Sequence, residues 1–209
     1  MNTDHFTRRQ ALAGFGAALA AVAARPASAA VAAAELADDP YPLPAFDYKK
    51  LPAEFRRTVV AYEGRQRPGT IIVDTGARHL YFILPEKQAI RFGCAVGKDG
   101  FRWAGLADIA RKVMWPTWTP PKSMIERSPE KAKWANGMPG GPDNPLGARA
   151  LYLFQNGNDT LYRIHGTTEP LSIGKNASSG CIRMVNQDVV ELYRRAPIGS
   201  RVIVLAEGV

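Results

Sequence analysis

Short apolar runs separated by turn residues fill the chain from Thr70 onward, and they restrict its fold more than any other feature. Thr70 to Asp74, His79 to Leu84 and Ala89 to Val96 are broken by Thr75-Gly76 and by Pro85-Glu86-Lys87. Runs of this length between turn formers read as consecutive antiparallel strands. Arg149 to Phe154, Leu161 to His165 and Arg201 to Leu205 add three more. A short strand cannot bury its apolar face alone. Six of them therefore predict a mainly β fold with minor α, a sandwich or barrel-like pair of sheets around one core. A length of 209 residues suits one such domain with short extensions.

Between the strand groups, Phe101 to Gly147 holds all four tryptophans, seven prolines and five glycines. Those counts mark a long irregular insertion. Its tryptophans argue against disorder, so a lid or wall beside a cleft is expected there. Trp103, Trp115, Trp118 and Trp134 serve equally well as packing residues, and none is singled out. Asn186 to Ala196 is the clearest helix. Asn186 is placed to cap it, Asp188 suits its N-terminus, Arg194 and Arg195 suit its C-terminus, and Pro197 stops it. Val189, Leu192, Tyr193 and Ala196 give it a face to bury.

The N-terminal stretch has a different composition. Arg8-Arg9 precedes a weakly apolar run from Ala11 to Ala24, followed by Ala27-Ser28-Ala29. This pattern predicts an export signal over residues 1–29, with the arginine pair resembling the twin-arginine type and a general secretory signal as the other route. Fourteen apolar residues fall short of the ~20 needed to span a bilayer. Either route places the protein outside the cytoplasm, in the periplasm or cell envelope. Residues 30–67 read as a spacer and lead-in, flexible from Ala30 to Asp47, with Leu51 to Tyr62 compatible with a short helix or a strand. The formal charge is +8, and removing residues 1–29 leaves +6. That excess favours an anionic partner. Zinc spacing, a basic helix and aromatic ribonucleoprotein signatures are all missing, so nucleic acid is not expected, whereas a carboxylate-rich polymer fits.

The stretch from His165 to Met184 carries one of three histidines and one of two cysteines. A thiol attacks as thiolate, and a histidine is the side chain best suited to take its proton near neutrality, so His165 and Cys181 form a candidate dyad. Thr160 to Ile164 alternates as a strand that delivers His165 at its end. Pro170, Gly174 and Gly180 mark a loop able to bring Cys181 back beside it. Gly180 frees the backbone for conformations closed to other residues, and the amides of Gly180 and Cys181 are candidates for an oxyanion hole. If Cys181 to Arg183 is extended, Arg183 shares the face of Cys181, where it would grip a substrate carboxylate or tie down the loop. Two cysteines in an exported chain invite a disulfide between Cys94 and Cys181. Cys94, however, sits where an apolar strand residue belongs, so two free thiols are expected. Three histidines without ligand spacing make no zinc site, and neither metal nor cofactor is expected.

These residues resemble a known family. His165-Gly166-Thr167, Ile173-Gly174 and Ser178-Ser179-Gly180-Cys181-Ile182-Arg183-Met184, followed by Asn186 and Asp188, are similar to the L,D-transpeptidase catalytic domain, or YkuD domain. The resemblance extends upstream through Pro68-Gly69-Thr70-Ile71, Leu80-Tyr81, Trp115-Pro116-Thr117-Trp118-Thr119-Pro120-Pro121 and Asn144-Pro145-Leu146-Gly147. It implies a catalytic domain over 68–206, built as β-sandwich-like mixed sheets. Where the family often carries a histidine before the Gly-Cys pair, this chain has Ser179.

The resemblance implies that Cys181 is the nucleophile and His165 the base of a cysteine acyltransferase acting on peptidoglycan. The thiolate would attack the carbonyl between the third stem residue, a diaminopimelate, and terminal D-alanine. D-alanine would leave, and the thioester would pass to an amine of a second stem, giving a 3–3 crosslink. An anchored envelope protein, a free D-amino acid or water would serve as other acceptors. The Gly166 carbonyl is expected to orient the imidazole in place of a carboxylate. The rival readings are an L,D-carboxypeptidase, with water as acceptor, and a non-catalytic wall-binding module of the same fold.

Overall fold

The computed structural model describes residues 39–97, 103–178 and 180–205. The expected export signal, Ser179 and the last residue of the expected domain lie outside them. Eleven strands are described: β1 (Thr58–Ala61), β2 (Ile71–Asp74), β3 (His79–Leu84), β4 (Gln88–Gly93), β5 (Val96–Gly97), β6 (Gly105–Met114), β7 (Arg149–Gln155), β8 (Asn158–His165), β9 (Asn176–Ser178), β10 (Ile182–Arg183) and β11 (Arg201–Leu205). Two α-helices accompany them, α1 (Lys122–Arg127) and α2 (Asn186–Arg195). Nine strands join in the order β1-β4-β3-β2-β11-β6-β7-β8-β10, and β5 pairs with β9 separately. The sheet is mixed, because β11 runs parallel to β2 and β10 parallel to β8 while the other pairs are antiparallel.

Both halves of the long sheet feed one core. Val73, Leu80 and Phe92 from β2–β4 cluster with Ile109, Leu151 and Ile164 from β6–β8 and with Val189 and Leu192 of α2. The sheet therefore curls over itself in the manner of a sandwich, as the short runs predicted. Each such side chain, fully buried, contributes about 1.5–3 kcal/mol by leaving water. A smaller cluster of Tyr62, Ile72, Tyr81, Ile83, Ala89, Ile203 and Leu205 covers the other face of β2, β3 and β11.

The insertion expected as irregular from Phe101 contains a ten-residue strand, β6. Its register slips between Ile109 and Arg111, a bulge that breaks the alternation by which a strand is recognised. From Thr117 the segment is irregular as expected, apart from α1 and a 3-10 stretch at Pro129–Trp134.

Residues 39–67 are built into the domain, which corrects the flexible spacer expected as far as Asp47. Asp39 is buried in an ion pair with Arg149 and accepts a hydrogen bond from the Trp115 indole. Leu51 and Tyr62 are buried, and the open choice over 51–62 resolves into a 3-10 turn at Ala53–Phe55 followed by edge strand β1. Val185, not Asn186, occupies the N-cap position of helix α2, and it supplies no side-chain cap bond. Its Asp188 is buried, accepts a 2.6 Å hydrogen bond from the Tyr48 hydroxyl and lies 3.8 Å from Arg57. Among the described residues, no helix is long and apolar enough to cross a membrane.

Candidate active site

Strand β8 ends on His165, opposite Ala150 of β7. Strand β10 lies parallel on its other side, with Arg183 opposite His165 and the Met184 amide donating to the His165 carbonyl at 2.8 Å. Arg183 also exchanges two backbone hydrogen bonds with Ala95, of 2.9 and 2.8 Å. Cys181 thus enters a two-residue strand held from both sides. Gly180 just before it has φ +136°, a conformation that L side chains rarely adopt, which explains glycine at that position.

His165 is 4% exposed, and its Nδ1 lies 2.6 Å from the Gly166 carbonyl. A carbonyl only accepts, so Nδ1 carries the hydrogen and Nε2 keeps its lone pair. Burial lowers the imidazole pKa to about 4; Arg183 and Arg163 push the same way, while the carbonyls of Gly166 and Leu146 oppose. Burial raises the Cys181 thiol, Asp159 adds to this, and the Arg163 amide with the guanidinium groups of Arg163 and Arg183 pulls it back down. Both shifts favour the uncharged forms, a thiol and a neutral imidazole. Arg163 is itself fixed, bidentate to Asp159 at 2.8 and 2.9 Å and lying over the Tyr152 ring.

His165, Cys181, Arg163 and Arg183 line one cleft of about 780 Å³. Its far wall comes from the segment Thr117–Leu146, as expected of a lid or wall, with Trp118 and Trp134 facing the space. Trp103 instead stacks on Tyr162 with ring centroids 5.1 Å apart, and Trp115 packs edge-on against Tyr41. The Arg183 Nη1 holds Glu169 at 3.1 Å, and its buried Nε has no hydrogen-bond partner among the described residues. Among the described residues neither cysteine forms a disulfide, and Cys94 is fully buried. His79 is a satisfied structural residue, its Nε2 3.0 Å from the Glu54 carbonyl and its ring against Phe55.

Two asparagines do more than the sequence reading assigned. Asn186, expected as a cap, turns its side chain to the histidine loop. Its Oδ1 accepts from the amides of Ala148 at 3.0 Å and Thr167 at 3.2 Å, and its Nδ2 donates to the Thr167 carbonyl at 3.0 Å. Asn144, fully buried, donates to the carbonyls of Pro116, Met138 and Pro139 and accepts from the Leu146 amide, gathering the cleft wall. For Asn144 the available signal was a polar residue inside a glycine- and proline-rich stretch, but only a fold shows which backbone groups need partners.

Known proteins are similar to this chain in sequence and fold. The L,D-transpeptidase catalytic domain family matches residues 68–204. A putative L,D-transpeptidase YqjB of Bacillus subtilis is 50% identical over 136 residues, covering 64% of this chain and 69% of the relative. A probable L,D-transpeptidase ErfK/SrfK of Escherichia coli is 33% identical over 145 residues, 66% of this chain but only 44% of the relative. Among solved structures, an L,D-transpeptidase from Mycobacterium smegmatis shares the fold at a TM-score of 0.50 and 16% identity, covering 71% of this chain and 67% of its own. A Brucella melitensis protein described as a probable carnitine operon oxidoreductase is 48% identical with a TM-score of 0.52, covering 76% of this chain and 99% of its own. That description concerns the Brucella protein; the family match over 68–204 covers His165, Cys181, the cleft wall and strands β2 to β10. The chain belongs to the L,D-transpeptidase catalytic domain family.

Proposed function

We propose that this protein is an exported cysteine acyltransferase that acts on peptidoglycan stem peptides. The observation that carries the reading is the Nδ1–Gly166 hydrogen bond, which leaves Nε2 as the base in a cleft shared with Cys181. The neutral imidazole takes the thiol proton as sulfur attacks the carbonyl preceding the terminal D-alanine. The amides of Gly180 and Cys181 hold the resulting oxyanion. Collapse expels the D-alanine amine, which recovers the proton from His165 and leaves a thioester. An acceptor amine then attacks the thioester, His165 removes the amine proton, and the thiol is restored. A second stem gives the 3–3 crosslink; a protein amine, a D-amino acid or water gives the other products. The Arg8-Arg9 segment supports delivery to the cell envelope before this chemistry begins.

Intact-mass analysis tests the reading. Mature protein and Cys181→Ala are incubated with a soluble tetrapeptide-stem fragment. The expected result is a thioester adduct on the wild type alone, with D-alanine released in step. Release by Cys181→Ala, or neither adduct nor release from folded, reduced wild type, overturns it.

A further inference from the structure

A second groove lies away from the cleft, on the face that carries the smaller apolar cluster. Arg65 and Arg67 form one wall, the turn Pro197–Arg201 forms the other, and Leu106 and Ile203 line it between them. Its volume is about 810 Å³, and it shares no lining residue with the catalytic cleft. Strands β6 and β7 stand between β11, which contributes Arg201 and Ile203, and β8, which carries His165.

The walls are fixed. Tyr62, itself buried, hydrogen bonds Gln66 through its hydroxyl, and the Thr70 amide closes back on the Arg67 carbonyl at 3.1 Å. On the other side the Gly199 amide donates to Ile109 at 2.8 Å, and Ile109 donates to Ser200 at 2.9 Å. Binding there requires little ordering of the backbone.

The groove is the more strongly cationic of the two. Glu130, Asp143 and Glu169 temper the cations of the catalytic cleft, whereas no carboxylate lines this groove. Arg65 and Arg67 are exposed with no ion-pair partner among the described residues, and Arg201 has only Asp108 at 3.8 Å, with both side chains more than half exposed. Ile198, 64% exposed, adds an apolar lip. Three forked guanidinium groups over an apolar floor match a chain that repeats carboxylates along its length.

We infer that this groove holds a second segment of the carboxylate-bearing wall polymer whose stem peptide enters the cleft. This rests on the proposed function. One stem occupies the cleft, and the neighbouring repeats of the same polymer carry further anions to the outer groove. Two-point attachment raises affinity for polymer over soluble fragment without any new contact at the thiol.

The test compares mature wild type, Arg65→Ala/Arg67→Ala, and Lys49→Ala/Lys50→Ala, which removes the same charge from an exposed site outside the groove. Each is cosedimented with sacculi stripped of attached protein and phosphate polymers, and each is assayed for D-alanine release from the soluble fragment. The arginine variant is expected to bind sacculi roughly three- to tenfold more weakly while retaining its rate on the fragment, with the lysine variant like wild type in both. Wild-type sedimentation of the arginine variant, or an equal loss in the lysine variant, overturns the groove. Wild type that binds sacculi through these arginines yet releases no D-alanine would overturn the proposed function and leave the groove standing.

Discussion

A methyl group placed on Gly166 would lie 2.0 Å from Oδ1 of Asn186, and one placed on Gly147 would lie 2.2 Å from the same atom. The asparagine carbonyl occupies the space that both glycines leave open, and through it α2 fixes the loop that orients His165. Gly166→Ala is expected to cost about 1–3 kcal/mol of stability, because neither backbone nor buried amide can yield cheaply. Asn186→Ala leaves buried amides at Ala148 and Thr167 unpaired and is expected to cost more, about 1–3 kcal/mol for each group left unsatisfied. The double variant relieves the collision, so its loss is smaller than the sum of the single losses. Thermal denaturation of the three variants measures the coupling.

The pH dependence of activity follows from the neutral imidazole. In the proposed mechanism His165 must be unprotonated to take the thiol proton, and burial lowers its pKa to about 4. The value of kcat/KM is therefore expected to rise with pH through about 4 and to be level between 5 and 7. A limb midpoint near 6.5, the ordinary histidine value, would show that burial does not govern this group.

The same titrations act on stability in opposite senses. His165 binds its proton less readily folded than unfolded, so its contribution is present above pH 6.5 and is lost as pH falls towards 4. Asp188 is raised by burial to about 6, with the Tyr48 hydroxyl and Arg57 opposing, so its contribution is full below pH 3.8 and is lost as pH rises through 6. Asp188→Asn removes only the second effect. Its Tm is expected to gain on that of the wild type as pH is raised from 4 to 7.

Arg183 offers a choice between gripping substrate and tying the loop. With Nη1 on Glu169 and Nε unpartnered among the described residues, the guanidinium is arranged for an exchange of Glu169 for a substrate carboxylate. Arg183→Lys loses the forked geometry and is expected to raise KM about tenfold or more with a smaller change in kcat. A fall in kcat and Tm at unchanged KM would assign it to the loop instead.

The lead-in makes a further claim. Asp39 is buried against Arg149, and removing one member of such a pair strands the other charge. Asp39→Ala is expected to cost about 3–5 kcal/mol, and a chain beginning at Pro68 should melt below one beginning at Asp39. Equal melting temperatures would show the lead-in to be dispensable.

The strands and the dyad were legible because their signals are local. Short apolar runs between turn formers predicted β2, β3, β4, β7, β8 and β11, and the rarity of cysteine and histidine drew attention to Cys181 and His165. Strand β6 was hidden by its own bulge, and β10 is too short for any period to show. The roles of Asn186, Asn144 and Asp39 depend on partners 38, 28 and 110 residues away, so no window of sequence contains them. Composition suggested a tether before the domain; the ion pair that fixes it exists only once β7 is in place.

The position of β11 has a consequence for how the molecule is made. Residues 201–205 lie between β2 and β6, so they alone join the half of the sheet that bears β1–β4 to the half that bears the dyad. Until the ribosome has released them, each half presents an unpaired edge, and the shared core cannot close. The nascent chain must therefore wait for β11 before His165 and Cys181 can share a closed core with β2–β4, and a premature stop ahead of Arg201 leaves two sticky half-sheets instead of a smaller domain.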